Sequence, residues 1–214
     1  MKGLFISFEG NDGSGKSSVI EAVKDELVKM GFEIVQTREP GGSKIAEKIR
    51  TVILDRNNVG MDAKTEALLY ASSRREHIQK TILPAIHSGK IVLCDRFVDS
   101  SLAYQGYARG LGIDEVYRMN EFATEGVVPD LTLLVCVKPE VGFERIKNNQ
   151  RGELDRLELE KMSFHQKVYE GYLEVQKKFS NRIIIIDGER TKEEVKKEAL
   201  QVVLSYLRGH YEKR

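Results

Sequence analysis

Phe5-Ile6-Ser7-Phe8-Glu9-Gly10-Asn11-Asp12-Gly13-Ser14-Gly15-Lys16-Ser17-Ser18 joins an apolar run to a glycine-rich bend and then to residues able to start a helix. The spacing Gly10-x-x-x-x-Gly15-Lys16-Ser17 is that of a P-loop, in which glycines let backbone N–H groups turn inward around phosphate oxygens. A side chain at Gly10, Gly13 or Gly15 would obstruct that turn. A helix beginning near Gly15 would aim its positive dipole end and its free N–H groups at the same anion. Lys16 supplies a mobile cation for the β- and γ-phosphates of a nucleotide, and the Ser17 hydroxyl is placed to hold Mg²⁺. Gly10, Asn11, Asp12, Gly13, Ser14, Gly15, Lys16 and Ser17 are thus the expected triphosphate site.

On either side of the loop the pattern alternates between strand and helix. Leu4 to Phe8 predicts a buried strand, and Ser17 to Met30 a helix with Val19, Val23, Leu27 and Met30 at helical spacing. Phe32 to Thr37 is a second strand, ending in Arg38-Glu39-Pro40-Gly41-Gly42, where proline and paired glycines force a loop. Helices are expected around Ile45 to Ile53 and from about Ala63 to His87, with Pro84 bending the last turn. Ile91-Val92-Leu93-Cys94 reads as a strand buried on both faces and ends in Asp95-Arg96. Ser100 to Arg109 is too polar for the stripe of a core helix and is broken up by Gly106, Gly110 and Gly112, so Gln105 is expected on an exposed loop. Beyond it come a helix at Ile113 to Glu125, a strand at Leu131 to Val137 and a helix at Pro139 to Asn148. A basic stretch, Lys147 to Arg156, leads to a long helix ending near Phe179, a strand at Ile183 to Ile186 and a last helix at Glu193 to Leu207.

Five strands with helices between them predict an α/β doubly wound sheet, all parallel and flanked by helices, in the three-layer manner of P-loop NTPases. Ligands of such sheets sit beyond the carboxyl ends of the strands. Gly10 to Lys16, Arg38-Glu39 and Asp95-Arg96 all follow strand ends and so converge on one crevice. The chain of 214 residues fits a single domain, 1–214, burying about 70% of its unfolded surface. Lys+Arg 34 against Asp+Glu 33 leaves no bulk field to draw it to nucleic acid or membrane. Cys94 and Cys136 lie in apolar runs and read as buried free thiols. The chain has no apolar stretch of membrane-spanning length and no signal-like start, which points to a soluble cytoplasmic protein.

What is done with the nucleotide is decided by the other motifs. A Ras-type GTPase would carry an Asn-Lys-x-Asp motif, which is missing, and a motor ATPase would carry a carboxylate after Asp95, where Arg96 stands instead. A cation at a strand end facing bound phosphates implies a second anion opposite the γ-phosphate, which is kinase chemistry done by positioning and charge neutralisation. An acceptor that is itself a phosphate oxygen requires no general base.

Four segments carry a family resemblance: Phe8 to Lys16, Thr37 to Gly42, Asp95-Arg96-Phe97-Val98-Asp99-Ser100-Ser101-Leu102-Ala103-Tyr104-Gln105-Gly106, and Arg151-Gly152-Glu153-Leu154-Asp155-Arg156-Leu157-Glu158. In order and spacing they resemble the signature segments of thymidylate kinases, over essentially the whole chain. The resemblance implies transfer of the ATP γ-phosphate to thymidine monophosphate (dTMP), with Mg²⁺, in a homodimer. The alternatives are another nucleoside monophosphate kinase, of uridylate or cytidylate type, or an ATP-binding regulatory module without catalysis.

By the same resemblance Asp12 meets the sugar 3′-hydroxyl or the metal through water, or else merely stabilises its loop as an Asx turn. Arg38 and Arg96 grip the acceptor phosphate, guanidinium forks matching phosphate oxygens, with Arg38 alternatively paired to Glu39. Asp95 lies near the metal or caps a turn. Tyr70 and Arg74, four apart on one helix face, stack on and hydrogen-bond the base, or are a core aromatic beside a solvated arginine. Ser101 and Gln105 reach the base edge, Tyr104 excludes a 2′-hydroxyl, and Glu39 belongs to the same acceptor site. The basic stretch from about 145 to 156, with Arg145, Lys147, Arg151 and Arg156, resembles a lid over ATP. Since the phosphate loop has no arginine, Arg151 is the expected lid cation at the transferring phosphoryl group.

Overall fold

The structure, a computed structural model, describes residues 3–148 and 155–211. Its five strands are β1 (Leu4–Glu9), β2 (Ile34–Arg38), β3 (Ile91–Asp95), β4 (Leu131–Cys136) and β5 (Ile183–Asp187). They form one sheet in the order β2-β3-β1-β4-β5, every pairing parallel. β1 is central, with Phe8 opposite both Asp95 of β3 and Leu133 of β4, so the phosphate loop leaves the sheet where chain connections diverge to either side.

Helices α1 (Lys16–Lys29), α2 (Lys44–Leu54) and α3 (Ala63–His77) form where expected, with Val19, Val23, Leu27 and Ile53 buried, whereas Met30, Ile45, Val52 and Leu68 face outward. The predicted helix over 63–87 is continuous but not uniform: α3 passes through a π turn (Ile78–Ile82) into α4 (Leu83–His87). The widened turn directly precedes Pro84, whose ring would otherwise meet the carbonyl four residues back. With α5 (Val98–Ser101), the helices α6 (Ile113–Thr124), α7 (Pro139–Asn148), α8 (Met162–Lys178) and α9 (Lys192–Tyr211) follow.

The segment over 100–109 overturns its sequence reading. α5 (Val98–Ser101) continues as a π-helical stretch, Leu102–Ala108, and lies inside the protein. Its polar residues are buried because their partners come from elsewhere in the chain: Ser100 bonds Glu9, Ser101 bonds Arg74 and Gln105 bonds Glu66. Gly106 does not break the helix. A Cβ there would stand 3.1 Å from the Ile113 backbone, so glycine lets the start of α6 approach.

Two apolar clusters sandwich the sheet. Leu4, Ile6 and Phe8 of β1 face α1 and α9, joining Val19, Val23, Leu27, Ala199 and Val203. Phe5 points the other way, with Val92, Cys94, Leu102, Val168 and Tyr172, as the period of two along a strand requires. Cys94 and Cys136 are free thiols, Cys94 fully buried and Cys136 only half-buried.

Candidate active site

The carboxyl ends of β1, β2 and β3 open on a cleft of about 530 Å³. Asp12, Gly13, Ser14, Gly15, Lys16 and Ser17 line it together with Arg38, Glu39, Tyr70, Arg74, Asp95, Arg96, Ser101, Tyr104 and Gln105. Gly10 and Asn11 sit behind this lining, and their carbonyls accept the Lys16 Nζ protons at 2.9 and 3.2 Å. Gly10 (φ 140°) and Gly13 (φ 75°) are doubly required. Beyond the left-handed backbone, a Cβ would come within 2.1 Å of Val135 O and 2.2 Å of Gly142 O respectively. The second contact is mutual, since a Cβ on Gly142 of α7 would meet Asp12 O at 2.4 Å. Burial, aided by nearby Arg96, pushes the Lys16 ammonium down to about 8 against the pull of Asp95, Asp12 and Glu9.

Arg96 has a left-handed backbone, φ 71°, uncommon for a side chain of its size. Its N–H bonds Phe8 O at 2.9 Å and its carbonyl accepts from Cys94 Sγ at 3.1 Å. The guanidinium donates to Asp12 Oδ1 at 2.7 Å, to Tyr172 Oη at 2.8 Å and to Ser100 Oγ at 3.3 Å, and lies over the Tyr104 ring. Behind these hydroxyls stands Glu9, fully buried, which accepts from Phe97 N (2.7 Å), Ser100 Oγ (2.5 Å) and Tyr172 Oη (3.2 Å). Burial and the neighbouring Asp99 raise the Glu9 carboxyl to about 7, opposed by Ser100, Arg96 and the Phe97 N–H. Burial also pushes Asp12 upward, but Arg96 and Lys16 outweigh it and hold the carboxyl below its ordinary value. Glu9 received no role from the sequence; the signal was a carboxylate alternating into the buried face of an apolar strand.

Tyr70 and Arg74 share the cleft face of α3, as their spacing requires. Arg74 is 1% exposed, so it is no solvated arginine. Its guanidinium donates to Glu39 Oε2 (2.7 Å), Ser101 Oγ (3.1 Å), Phe97 O (3.0 Å) and Asn120 Oδ1, leaving one N–H uncommitted among the described residues. Glu39 also accepts from or pairs with His77 Nδ1 at 2.9 Å, so it orients Arg74 from behind. Tyr104 Oη donates to Asp12 Oδ2 at 3.2 Å. Gln105, expected on an exposed loop, is 1% exposed, with Nε2 donating to Glu66 Oε1 at 2.9 Å. Glu66, one turn before Tyr70, is a second buried carboxylate that the sequence reading passed over.

Arg38 pairs with Glu47 at 3.0 Å, not with Glu39, and is about half exposed. Arg156 is not a free lid cation: it is 3% exposed and donates to Glu66 Oε2 at 2.6 Å and Ile53 O at 2.7 Å. Arg145 lines the cleft and donates to Gly188 O at 2.9 Å. Arg151 lies outside the described residues. Asp95 Oδ1 is buried without a hydrogen-bond partner among the described residues, and both Asp95 and Ser17 line the cleft. One hydroxyl and one carboxylate fit a divalent ion that takes its other ligands from phosphates and water. Among the described residues, no group of three or more His, Cys, Asp or Glu side chains could hold a metal by itself.

Residues 8–199 match the family model of thymidylate kinase. The chain is 52% identical over 209 residues to a thymidylate kinase of Geobacillus sp. (strain WCH70), covering 98% of this chain and all of the relative. To one of Bacillus velezensis it is 53% identical over 208 residues, covering 97% and 98%. A crystal structure of thymidylate kinase from Ehrlichia chaffeensis superposes with a TM-score of 0.77 at 30% identity, covering 95% of this chain and 99% of that one.

Proposed function

This chain belongs to the thymidylate kinase family and transfers the γ-phosphoryl group of ATP to dTMP, and we propose that its two nucleotides meet across the Lys16–Arg96 cleft. The observation that carries this assignment of roles is that Lys16 and Arg96, from distant parts of the chain, line one cavity. The loop from Gly10 to Ser17 cradles the donor phosphates, with Lys16 on the outer two. Arg96 and Arg38 hold the acceptor phosphate. Arg96 is the preorganised one: Asp12, Ser100 and Tyr172 fix its fork, so little reorganisation remains when charge develops. Tyr70 stacks on the base, Arg74 offers its spare N–H to a ring carbonyl, and Ser101 and Gln105 read the base edge. Tyr104 stands against the sugar, and Asp12, which accepts from Arg96 on one oxygen and from Tyr104 on the other, keeps lone pairs for the 3′-hydroxyl.

Ser17 and Asp95 would hold Mg²⁺, which supplies charge neutralisation on the donor oxygens. The segment from about 145 to 156 is read as a lid on a single domain, with Arg151 as its cation. A homodimer fits the apolar side chains that three neighbouring helices leave outside: Ile45 and Val52 of α2, Leu68 of α3 and Phe122 of α6, the last 88% exposed. No helix among the described residues is long and apolar enough to cross a membrane, and the cytoplasm, where ATP is available, is the proposed location.

The test is separate binding of each nucleotide to two variants. Arg96→Ala should weaken dTMP more than ATP, and Lys16→Ala the reverse. Equal losses of both nucleotides in both variants would refute the division. Chelation with EDTA should abolish turnover, and sedimentation equilibrium should give twice the chain mass.

A further inference from the structure

We propose that Glu66 sets the base preference of the acceptor site by locking the Gln105 amide in one of its two orientations. The inference rests on the reading of Gln105 as a base contact. A glutamine amide presents an acceptor beside a donor, and a half-turn exchanges them without changing its shape. Thymine and uracil offer an N3–H beside a carbonyl. Cytosine offers the reverse, a bare N3 beside an amino group. A glutamine free to turn therefore matches both classes of base.

Gln105 is not free to turn. Its Nε2 donates to Glu66 Oε1 at 2.9 Å, and both side chains are buried, Gln105 at 1% and Glu66 at 0% exposure. Glu66 also accepts from Arg156 Nη2 at 2.6 Å and from Arg109 Nε and Nη2 at 3.3 and 3.2 Å. Two guanidinium groups keep the carboxylate charged, and a charged carboxylate only accepts. A turned amide would press its own oxygen against that carboxylate at a contact where both side chains are buried. What Gln105 can present to the cleft it lines is Oε1 together with its remaining N–H, the complement of N3–H and a carbonyl. The sequence spacing builds the arrangement. Glu66, Tyr70 and Arg74 recur every fourth residue on α3, and Gln105 and Arg109 are four apart on the facing helix, so one carboxylate reaches both partners.

The experiment is the ratio of kcat/KM for dTMP over deoxycytidine monophosphate (dCMP), with ATP and Mg²⁺, in the full chain. Glu66→Gln gives residue 66 an amide that can donate or accept, so Gln105 can turn. The ratio should fall at least tenfold, with dCMP the gainer, because a site rejects an analogue strongly only while its polar groups cannot re-pair. Arg109→Met disturbs the same cluster but leaves the Gln105 contact, and should keep the ratio within about twofold even if both substrates are turned over more slowly. If Glu66→Gln does not accumulate folded, Glu66→Asp, which keeps the charge but withdraws it from Gln105, should lower the ratio in the same direction. An unchanged ratio in a folded Glu66 variant, or an equal fall in Arg109→Met, overturns the proposal. A wild-type protein that takes dTMP and dCMP equally would instead show that Gln105 does not read the base, and the assignment beneath the proposal would fall first.

Discussion

The two faces of the sheet are packed by different rules. Toward α1 and α9, β1 sends Leu4, Ile6 and Phe8 into a layer of Val, Leu, Ile and Ala. Toward α3, α5 and α8 the same strand sends Phe5, Ser7 and Glu9, and the layer they enter also holds Arg74, His77, Asp99, Ser100 and Asn120, all buried. Asp99 is held in a bidentate pair by Arg182 at 2.7 Å, and Ser7 meets Thr132 at 2.7 Å. Buried ion pairs add little net stability, because desolvation consumes most of the Coulombic gain. Their value is in fixing direction. Both faces bury apolar side chains, and the second, polar face adds buried charges that hold Arg96, Arg74 and Gln105 at set angles to the cleft.

The largest expected effect tests the polar face. Arg96→Ala should lower turnover by roughly 10²–10³-fold in steady-state assays, the range for losing one preorganised donor. Leu27→Ala, on the opposite face, should cost 2–5 kcal/mol in denaturant unfolding, within the range known for such cavities. Its turnover should stay within about twofold, and a large loss would erase the distinction between the faces.

Glu9 sharpens the contrast by pH. Its carboxyl, raised in the folded protein from its ordinary 4.5 to about 7, binds more protons folded than unfolded between those values. The stabilisation it gives is complete below about 4.5 and is lost as pH rises to about 7, roughly 3 kcal/mol over the window. Glu9→Gln should flatten that decline, measured as unfolding free energy against pH, and identical slopes would place the proton elsewhere. The smallest effect belongs to the exposed rim. Arg38→Ala, breaking a half-exposed pair, should change stability by less than about 1 kcal/mol while raising the acceptor KM roughly tenfold.

How much of this was legible depended on whether a residue's partner lay nearby in sequence. The strands read as apolar runs and the phosphate loop as spaced glycines, because those constraints are local. Ser100 to Arg109 misleads because polarity in a glycine-broken stretch reads as solvent exposure. The partners that make its polarity internal, Glu9, Glu66 and Arg74, stand far off along the chain. Arg156 misleads likewise: a basic residue in a basic stretch reads as solvated until Glu66 is found beside it. Spacing puts Arg74 on one helix face with Tyr70, but how many of its N–H groups are already taken cannot be counted from spacing.

Gly142 has the opposite character, being outwardly ordinary. It sits within α7, where alanine would normally improve a helix by about 1 kcal/mol. A methyl group there, however, would strike Asp12 O at 2.4 Å, and one on Gly13 would strike the Gly142 carbonyl at 2.2 Å. Bare main chain thus rests on bare main chain, leaving little room for a tilt of either piece. A thermostabilising screen that swaps helix glycines for alanine would find at this position an enzyme whose ATP affinity, rather than its melting point, had changed most.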